Sequence, residues 1–311
     1  MLFLIKNKSF CFALALLLLC FSLTLYNLAR FAFHSELYSY ILLIPFVSIQ
    51  LAWGKRDKLI NHAEPARAFS IAAALTGMVL LAIYWLIIHP ACWEASADRL
   101  AVAIGAFLAF LFAACFWFLG KENVRMLAFP LGFLAFMIPF PRCVEDGVVY
   151  FLQHGSAVAA ALFFKLSGMS IAQDDTSFQL PGFSLQVAPE CSGIHSSLVL
   201  VITSVVGGYY FLRTPWKRAV FSFAVIPLAL LRNGFRVFVI GMLCVHISPE
   251  MIDSPIHHRG GPIFFALSLI PLFILLYYLY KSDQPKGLGN FTEGNKGNEG
   301  GNGESTNEKL K

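Results

Sequence analysis

The sequence predicts an all-α polytopic membrane protein with about eight transmembrane helices, a small outward-facing β-hairpin and an interfacial helix. Of the 311 residues, 58% are hydrophobic and 13% are charged, whereas soluble domains carry roughly 45–50% apolar and about 25% charged residues. The mean hydropathy is +0.68, and the 31 Phe lie mainly in long apolar runs. This composition excludes an ordinary soluble globule, a collagen-like chain and a nucleic-acid-binding domain.

Eight apolar segments approach the roughly 20 residues that a membrane-crossing helix needs. They cover about residues 10–33, 37–53, 69–89, 100–119, 124–140, 192–212, 217–246 and 261–280. The second and fifth are the shortest. The first is not followed by a small-residue cleavage site, so we predict a retained helix and not a signal peptide.

The charges in the loops predict the orientation. Basic residues precede span one and follow spans two, four, six and eight, whereas the intervening loops are acidic or mixed. The basic set comprises Lys6, Lys8, Lys55, Arg56, Lys58, Arg67, Lys121, Arg125, Arg213, Lys217, Arg218, Lys281 and Lys286. Because basic loops stay inside, we predict a protein of the inner (plasma) membrane with both termini cytoplasmic and four loops outside.

The longest outward segment, about 141–191, contains two further elements. Residues 144–166 mix small and apolar residues with His154 and Lys165, a pattern that favours an amphipathic helix lying on the membrane or packed over the bundle. In residues 176–187 the apolar positions alternate on both sides of Pro181 and Gly182. This predicts a β-hairpin around a type II turn, in which Gly182 takes the positive φ.

The remaining sequence limits the domain count and the cofactors. Residues 1–281 form a single predicted transmembrane domain, and 282–311, rich in Gly, Asn, Glu and Lys, form a disordered cytoplasmic tail. The seven Cys show no CxxC or CxxH spacing, which argues against a disulfide framework and a zinc site. We expect no metal and no cofactor.

The first candidate site is Cys191, which the sequence places in the first turn of span six. Unpaired N–H groups and the helix dipole at such a position favour an anion, so a thiolate nucleophile is plausible there. The competing interpretation is a small core residue at a helix start. His195, one turn deeper, is a polar neighbour or a local base.

The second candidate is the pair Arg232 and Arg236, with Asn233, inside the apolar span seven. A charge at the centre of a membrane helix costs roughly 2.5–3.5 kcal/mol, which favours a functional cavity over snorkelling.

The third candidate is the pair His257 and His258 at the outer end of span eight, for which a solvated loop is the alternative. The predicted topology brings all three candidates to the outer half of the membrane, where a nucleophile, a fixed charge and an imidazole suit acyl transfer.

These residues resemble the exosortase/archaeosortase family of membrane-embedded cysteine transpeptidases. Three elements in successive helices carry the resemblance, over about residues 120–280: Glu190-Cys191-Ser192-Gly193, Asn233-Gly234-Phe235-Arg236, and His257 followed by Gly261-Pro262-Ile263-Phe264-Phe265. The resemblance implies that Cys191 is the nucleophile, Arg236 a proton donor or charge stabiliser and His257 the third catalytic residue. His258, Asn233 and Glu190 are supporting or alternative residues.

The resemblance also implies the partners. The substrates would be secreted proteins that end in a sorting signal: a short motif, one transmembrane helix and a basic cluster. The protein would transfer them to a surface lipid or exopolysaccharide acceptor. It would also contact membrane lipids, and we expect it to bind no nucleic acid.

The alternative function is a transporter or channel component, since intramembrane arginines also mark substrate pathways, although no broken helices recur in corresponding halves. A membrane glycosyl or lipid transferase would need outward carboxylates, and Asp174 and Asp175 form an adjacent pair of that kind.

Overall fold

The computed structural model describes residues 8–60, 64–88, 96–248, 250–251 and 261–284, and these are overwhelmingly helical. The α-helices are α1 (Lys8–Cys20), α2 (Ser22–His34), α3 (Ile44–Trp53), α4 (Arg67–Ile83), α5 (Ser96–Phe118), α6 (Gly120–Met126), α7 (Ala128–Phe133), α8 (Arg142–Leu166), α9 (Ile194–Phe211), α10 (Pro215–Phe223), α11 (Val225–His246) and α12 (Gly261–Asp283). The strands are β1 (Ala172–Asp174), β2 (Ser177–Leu180) and β3 (Phe183–Gln186).

The predicted multi-pass helical fold is confirmed, whereas the number of eight spans is not. Within the described ranges, six helices are long and apolar enough to cross a membrane, or seven if α1 and α2, bent by 63°, form one span. The six are Arg67–Leu86, Ser96–Phe118, Arg142–Leu166, Ile194–Phe211, Pro215–His246 and Gly261–Asp283. The second and fifth predicted spans form shorter apolar helices, Ser39–Trp53 and Ala128–Met137.

One end of the bundle gathers the loops that the sequence predicts to be cytoplasmic. The Asn123 side chain accepts a hydrogen bond from the Ile60 N–H (2.8 Å) and donates one to the Ile60 carbonyl (3.0 Å). The Lys55 ammonium and the Arg218 guanidinium both lie over the Tyr209 ring, 5.4 and 5.1 Å from its centroid. These contacts join the loops that follow the second, fourth and sixth predicted spans.

The C-terminal end of α12 docks at this same end. The Asp283 carboxylate accepts hydrogen bonds from the Arg213 and Thr214 N–H groups and from the Thr214 hydroxyl. It also lies 3.1 Å from the Lys217 ammonium. The loop before α10 and the end of the last helix are thereby held together, as the alternation of basic loops predicts.

The opposite end gathers loops that the sequence predicts to be external. The Tyr38 hydroxyl donates to the Glu145 carboxylate (2.7 Å), and the Asp98 carboxylate accepts the Arg142 N–H (2.8 Å) at the start of α8. Tyr38 precedes α3, and Asp98 lies in the first turn of α5. The beginning of α8 is therefore fixed at the end remote from Lys55 and Asp283.

Helix α8 is the segment predicted to be interfacial. It is long and apolar enough to cross a membrane, yet its first turn lies with Tyr38 and Asp98, and its second half packs beside the part of α11 that follows Leu230. Glycines permit this approach, because a Cβ on Gly234 would lie 2.5 Å from the Ala159 Cβ, and one on Gly241 would lie 2.6 Å from the Phe164 ring. Helix α8 therefore packs along α11 through its second half, while its first turn is held with Tyr38 and Asp98 at the end that the sequence predicts to be external.

The predicted hairpin is present, extended to three antiparallel strands in the order β1-β2-β3. Leu180 pairs with Phe183 around a turn in which Gly182 has φ +77°. The side chains of Phe178, Leu180, Leu185 and Val187 are buried and form a core with Ala157, Ala160, Ala161, Phe164 and Val237. Strand β1 was not predicted, because Ala172, Gln173 and Asp174 carry no apolar alternation and are all exposed.

Candidate functional site

Cys191 lies in a short turn between β3 and α9. The 3-10 turn Pro189–Ser192 begins with a proline and includes Glu190 of the predicted site. The Cys191 N–H donates to the Ala188 carbonyl (2.9 Å). The expectation that Cys191 occupies the first turn of the long helix is wrong in detail, because α9 begins only at Ile194. Cys191 therefore stands just ahead of the helix N-terminus, and its side chain is half-buried.

Gly193 joins this turn to α9 through a left-handed backbone conformation and a close contact with α11, both of which favour glycine. Its φ is +75°, a left-handed conformation that L side chains rarely adopt. A Cβ there would also lie 2.9 Å from the Asn233 Oδ1 and 3.1 Å from the Arg232 Nη2. Both the backbone conformation and the contact with α11 thus require glycine two residues after Cys191.

Asn233 holds the turn against α11. Its side chain is 2% exposed, and its amide nitrogen donates to the Cys191 carbonyl (2.8 Å) and to the Ser156 hydroxyl (3.0 Å). A buried amide with both contacts made is costly to remove, since each partner would lose its hydrogen bond. Asn233 therefore positions the main chain of Cys191.

Helix α8 contributes two residues that the sequence did not identify. Ser156 accepts the hydrogen bond from Asn233, and the Gln153 amide donates to the Val187 carbonyl. These two side chains lie one turn apart and hold both flanks of the segment 187–191. A serine and a glutamine in a helix give no recognisable signal in the sequence, because only the packing of α8 on α11 brings them to the site.

The two arginines of α11 occupy different surroundings. Arg232 is 7% exposed, and its Nη2 lies 3.3 Å from the Ser197 hydroxyl and 3.4 Å from the Gly193 carbonyl. Within the described ranges its Nη1 meets no acceptor. Arg232 thus places a buried positive charge beneath the turn that carries Cys191.

Arg236 instead shares a small cleft with Cys191. Among the described residues, the cleft is lined by Leu185, Gln186, Val187, Cys191, Arg236, Val237 and Ile240. One wall is the end of β3, the other is the face of α11 that follows Arg236, and Cys191 lies between them. The structure therefore brings together the predicted nucleophile and the predicted fixed charge.

The other predicted site residues have different positions. His257 and His258 lie outside the described residues. His195 is exposed in the first turn of α9 and does not line the cleft. The carboxylate of Asp175 lies 3.1 Å from the His154 Nε2 and joins the turn between β1 and β2 to α8. Asp175 thus has a structural partner outside the cleft, which weakens the transferase interpretation.

The arrangement is suited to nucleophilic chemistry on a carbonyl group. A thiol on a short turn and a guanidinium that line the same narrow, largely apolar cleft can attack a carbonyl carbon and stabilise negative charge on its oxygen. Within the described residues, no group of three or more His, Cys, Asp or Glu side chains could hold a metal ion.

A comparison with protein families gives one match. The family model described as transmembrane exosortase matches residues 30–274, a range that includes Cys191, Asn233, Arg236 and the position of His257. No curated protein and no solved structure matches the chain.

Proposed function

The chain belongs to the transmembrane exosortase family, and we propose that it cleaves the C-terminal sorting signal of secreted proteins and transfers them to a surface acceptor. Membership of this family supports the activity of a membrane-bound sorting transpeptidase that acts on secreted proteins with sorting signals. The observation that carries the residue assignment is the cleft that Cys191 and Arg236 line together.

The first step of the proposed reaction forms a thioester. The Cys191 thiolate attacks the scissile carbonyl carbon, and the carbonyl oxygen takes the negative charge as the tetrahedral intermediate forms. The Arg236 guanidinium donates hydrogen bonds to that oxygen, a role that its fixed charge and planar donors suit. The C–N bond then breaks, and the leaving amine receives a proton for which His257 is the proposed donor.

The second step releases the substrate. An acceptor hydroxyl or amine, from a surface lipid or an exopolysaccharide, attacks the thioester carbonyl and gives its proton to His257, which donated one in the first step. The C–S bond breaks, so the Cys191 thiolate is regenerated and a new ester or amide is formed. Attack by water in place of the acceptor would give a hydrolase. The acyl chemistry on the protein is the same in every case.

The test is co-expression with a tagged substrate candidate, a secreted protein from the same genome that ends in a short motif, an apolar helix and a Lys/Arg cluster. Mass spectrometry of the recovered substrate identifies its new C-terminus and any attached group. We expect the Cys191→Ala variant to abolish processing while it remains in the membrane, and Cys191→Ser to be nearly inactive, because a hydroxyl is far less ionised than a thiol. Normal processing by Cys191→Ala would refute the assignment.

A further inference from the structure

Strand β3 forms an edge of the sheet beside the cleft. In the described part of the chain, its only strand neighbour is β2. The pairs Leu180 with Phe183 and Phe178 with Leu185 are followed by the hydrogen bond from the Val187 N–H to the Thr176 carbonyl (2.9 Å). Because hydrogen-bonded pairs alternate in an antiparallel ladder, the N–H and C=O groups of residues 184 and 186 point away from β2.

This edge leads to the proposed nucleophile. Gln186 lines the cleft together with Cys191 and Arg236. The side chains of Leu185 and Val187 are buried in the core beneath the sheet, whereas Ser184 and Gln186 are exposed. The strand therefore presents the main-chain groups of residues 184 and 186 at its edge, and this edge ends at the cleft that Cys191 lines.

We propose that the segment of the sorting signal that precedes the scissile bond binds as an additional strand along β3. This proposal rests on the proposed function and specifies how the substrate is held. Strand addition supplies main-chain hydrogen bonds whatever the side chains are, while alternate side chains meet the protein and give specificity. A short motif ahead of the substrate helix matches the length of the edge, Phe183–Gln186.

The geometry also sets the direction of the bound strand. Strand β3 runs toward Cys191, and the substrate segment must likewise end with its scissile carbonyl at Cys191. The added strand is therefore parallel to β3. The part of the substrate that precedes the bound strand then lies on the side of Gly241, where Leu180 packs against α11. The apolar helix of the sorting signal follows the scissile bond and continues past Cys191 toward α9.

Proline substitutions on the two edges of the sheet test this proposal. Gln186→Pro removes the N–H that would bind the substrate, and proline is tolerated at edge positions. We expect kcat/KM to fall about two- to tenfold, the effect of one lost hydrogen bond, and to fall less in Gln186→Ala, which keeps the N–H. Gln173→Pro is the matched control, because residue 173 lies on the far edge of β1 and its N–H also points away from β2; we expect wild-type activity.

N-methylation of the substrate provides a second test that needs no protein variant. Synthetic peptides covering the motif of a processed substrate, each methylated at one main-chain nitrogen, are offered to the purified wild-type protein. Strand addition predicts losses at every second position. Losses at every position or at none, or equal kcat/KM for Gln186→Pro and Gln173→Pro, would overturn the proposal while leaving the transpeptidase assignment intact. A wild-type protein that processes no substrate would overturn both.

Discussion

Arg232 and Arg236 lie one helical turn apart, yet the structure gives them different surroundings. Arg236 borders the cleft with Cys191, while Arg232 is buried against the Gly193 carbonyl and the Ser197 hydroxyl. Position within an apolar helix predicted that both are functional, since a charge there is costly. Only the packing of α11 on the Cys191 turn distinguishes the proposed charge stabiliser from the residue beneath it.

The first prediction compares these two arginines. We expect Arg236→Lys to lower the rate of processing about 10²–10³-fold, because an ammonium cannot reproduce the planar set of donors at an oxyanion. Arg232→Lys should lower the rate less, since Arg232 does not line the cleft. Rates are measured with one substrate and normalised to the amount of folded protein in the membrane. An inactive Arg232→Lys beside an active Arg236→Lys would show that the roles are reversed.

The second prediction concerns the two histidines, which lie outside the described residues. The spacing of His257 to Gly261 matches the family element, so His257→Ala should reduce processing more than His258→Ala. The same single-substrate assay decides between them. Equal losses in the two variants would mean that the spacing does not identify the catalytic histidine.

At the scale of the elements, the turn before α9 depends on Gly193. The third prediction is that Gly193→Ala lowers both stability and processing, for two reasons. The new Cβ would lie 2.9 Å from Asn233 and 3.1 Å from Arg232, and the alanine would have to adopt the left-handed φ of +75°. Gly182→Ala is the matched control, with φ +77° and open space around the new Cβ. It should cost only the conformational penalty of about 1 kcal/mol. Thermal unfolding and processing of both variants separate the contact from the backbone conformation.

The close approach of α8 and α11 is the second feature at this scale. The fourth prediction is that Gly234→Val abolishes processing, because even a Cβ would lie 2.5 Å from the Ala159 Cβ and 2.8 Å from the Ala160 nitrogen. The forced separation would pull Ser156 away from Asn233 and release the Cys191 turn. Gly147→Val, on α8 with no neighbour within 4 Å of a Cβ, is the control. Equal behaviour of the two variants would show that this approach does not hold the site.

At the scale of the whole molecule, the contacts divide the loops into the same two groups that the charges predict. Asn123, Lys55 and Asp283 contact partners at one end, whereas Tyr38 and Asp98 contact the start of α8 at the other. The charge pattern and the packing are separate observations, and they agree about which loops share a face. From the positive-inside rule we expect the basic face to lie in the cytoplasm.

The fifth prediction follows from this orientation. Reporter fusions at both termini should report a cytoplasmic location. In intact cells, a membrane-impermeant thiol reagent should label Cys191 in a variant whose other cysteines are replaced, and Cys191→Ala in that variant should lose the label. A C-terminal reporter active outside the cytoplasm would contradict the orientation and, with it, the outward-facing site.

The sequence by itself determined the membrane class, the grouping of the loops, the hairpin turn at Gly182 and the family resemblance on which the proposed roles of Cys191 and Arg236 rest. These depend on composition, on residue spacing along single elements and on conformations that few residues can adopt, all of which are local properties. The number of crossing segments was less predictable, because Ser39–Trp53 and Ala128–Met137 are short for a span, and hydropathy alone does not distinguish a shortened crossing from a packed helix.

Only the tertiary structure decided how the site is assembled. Gln153 and Ser156 on α8 hold the segment that ends at Cys191, and the edge of β3 borders the same cleft as Arg236. These contacts join residues far apart in the chain, through helices that approach closely at Gly234 and Gly241. No local pattern encodes such pairings, because a buried hydrogen bond depends on which helix faces which, and the packing of small residues between helices settles that.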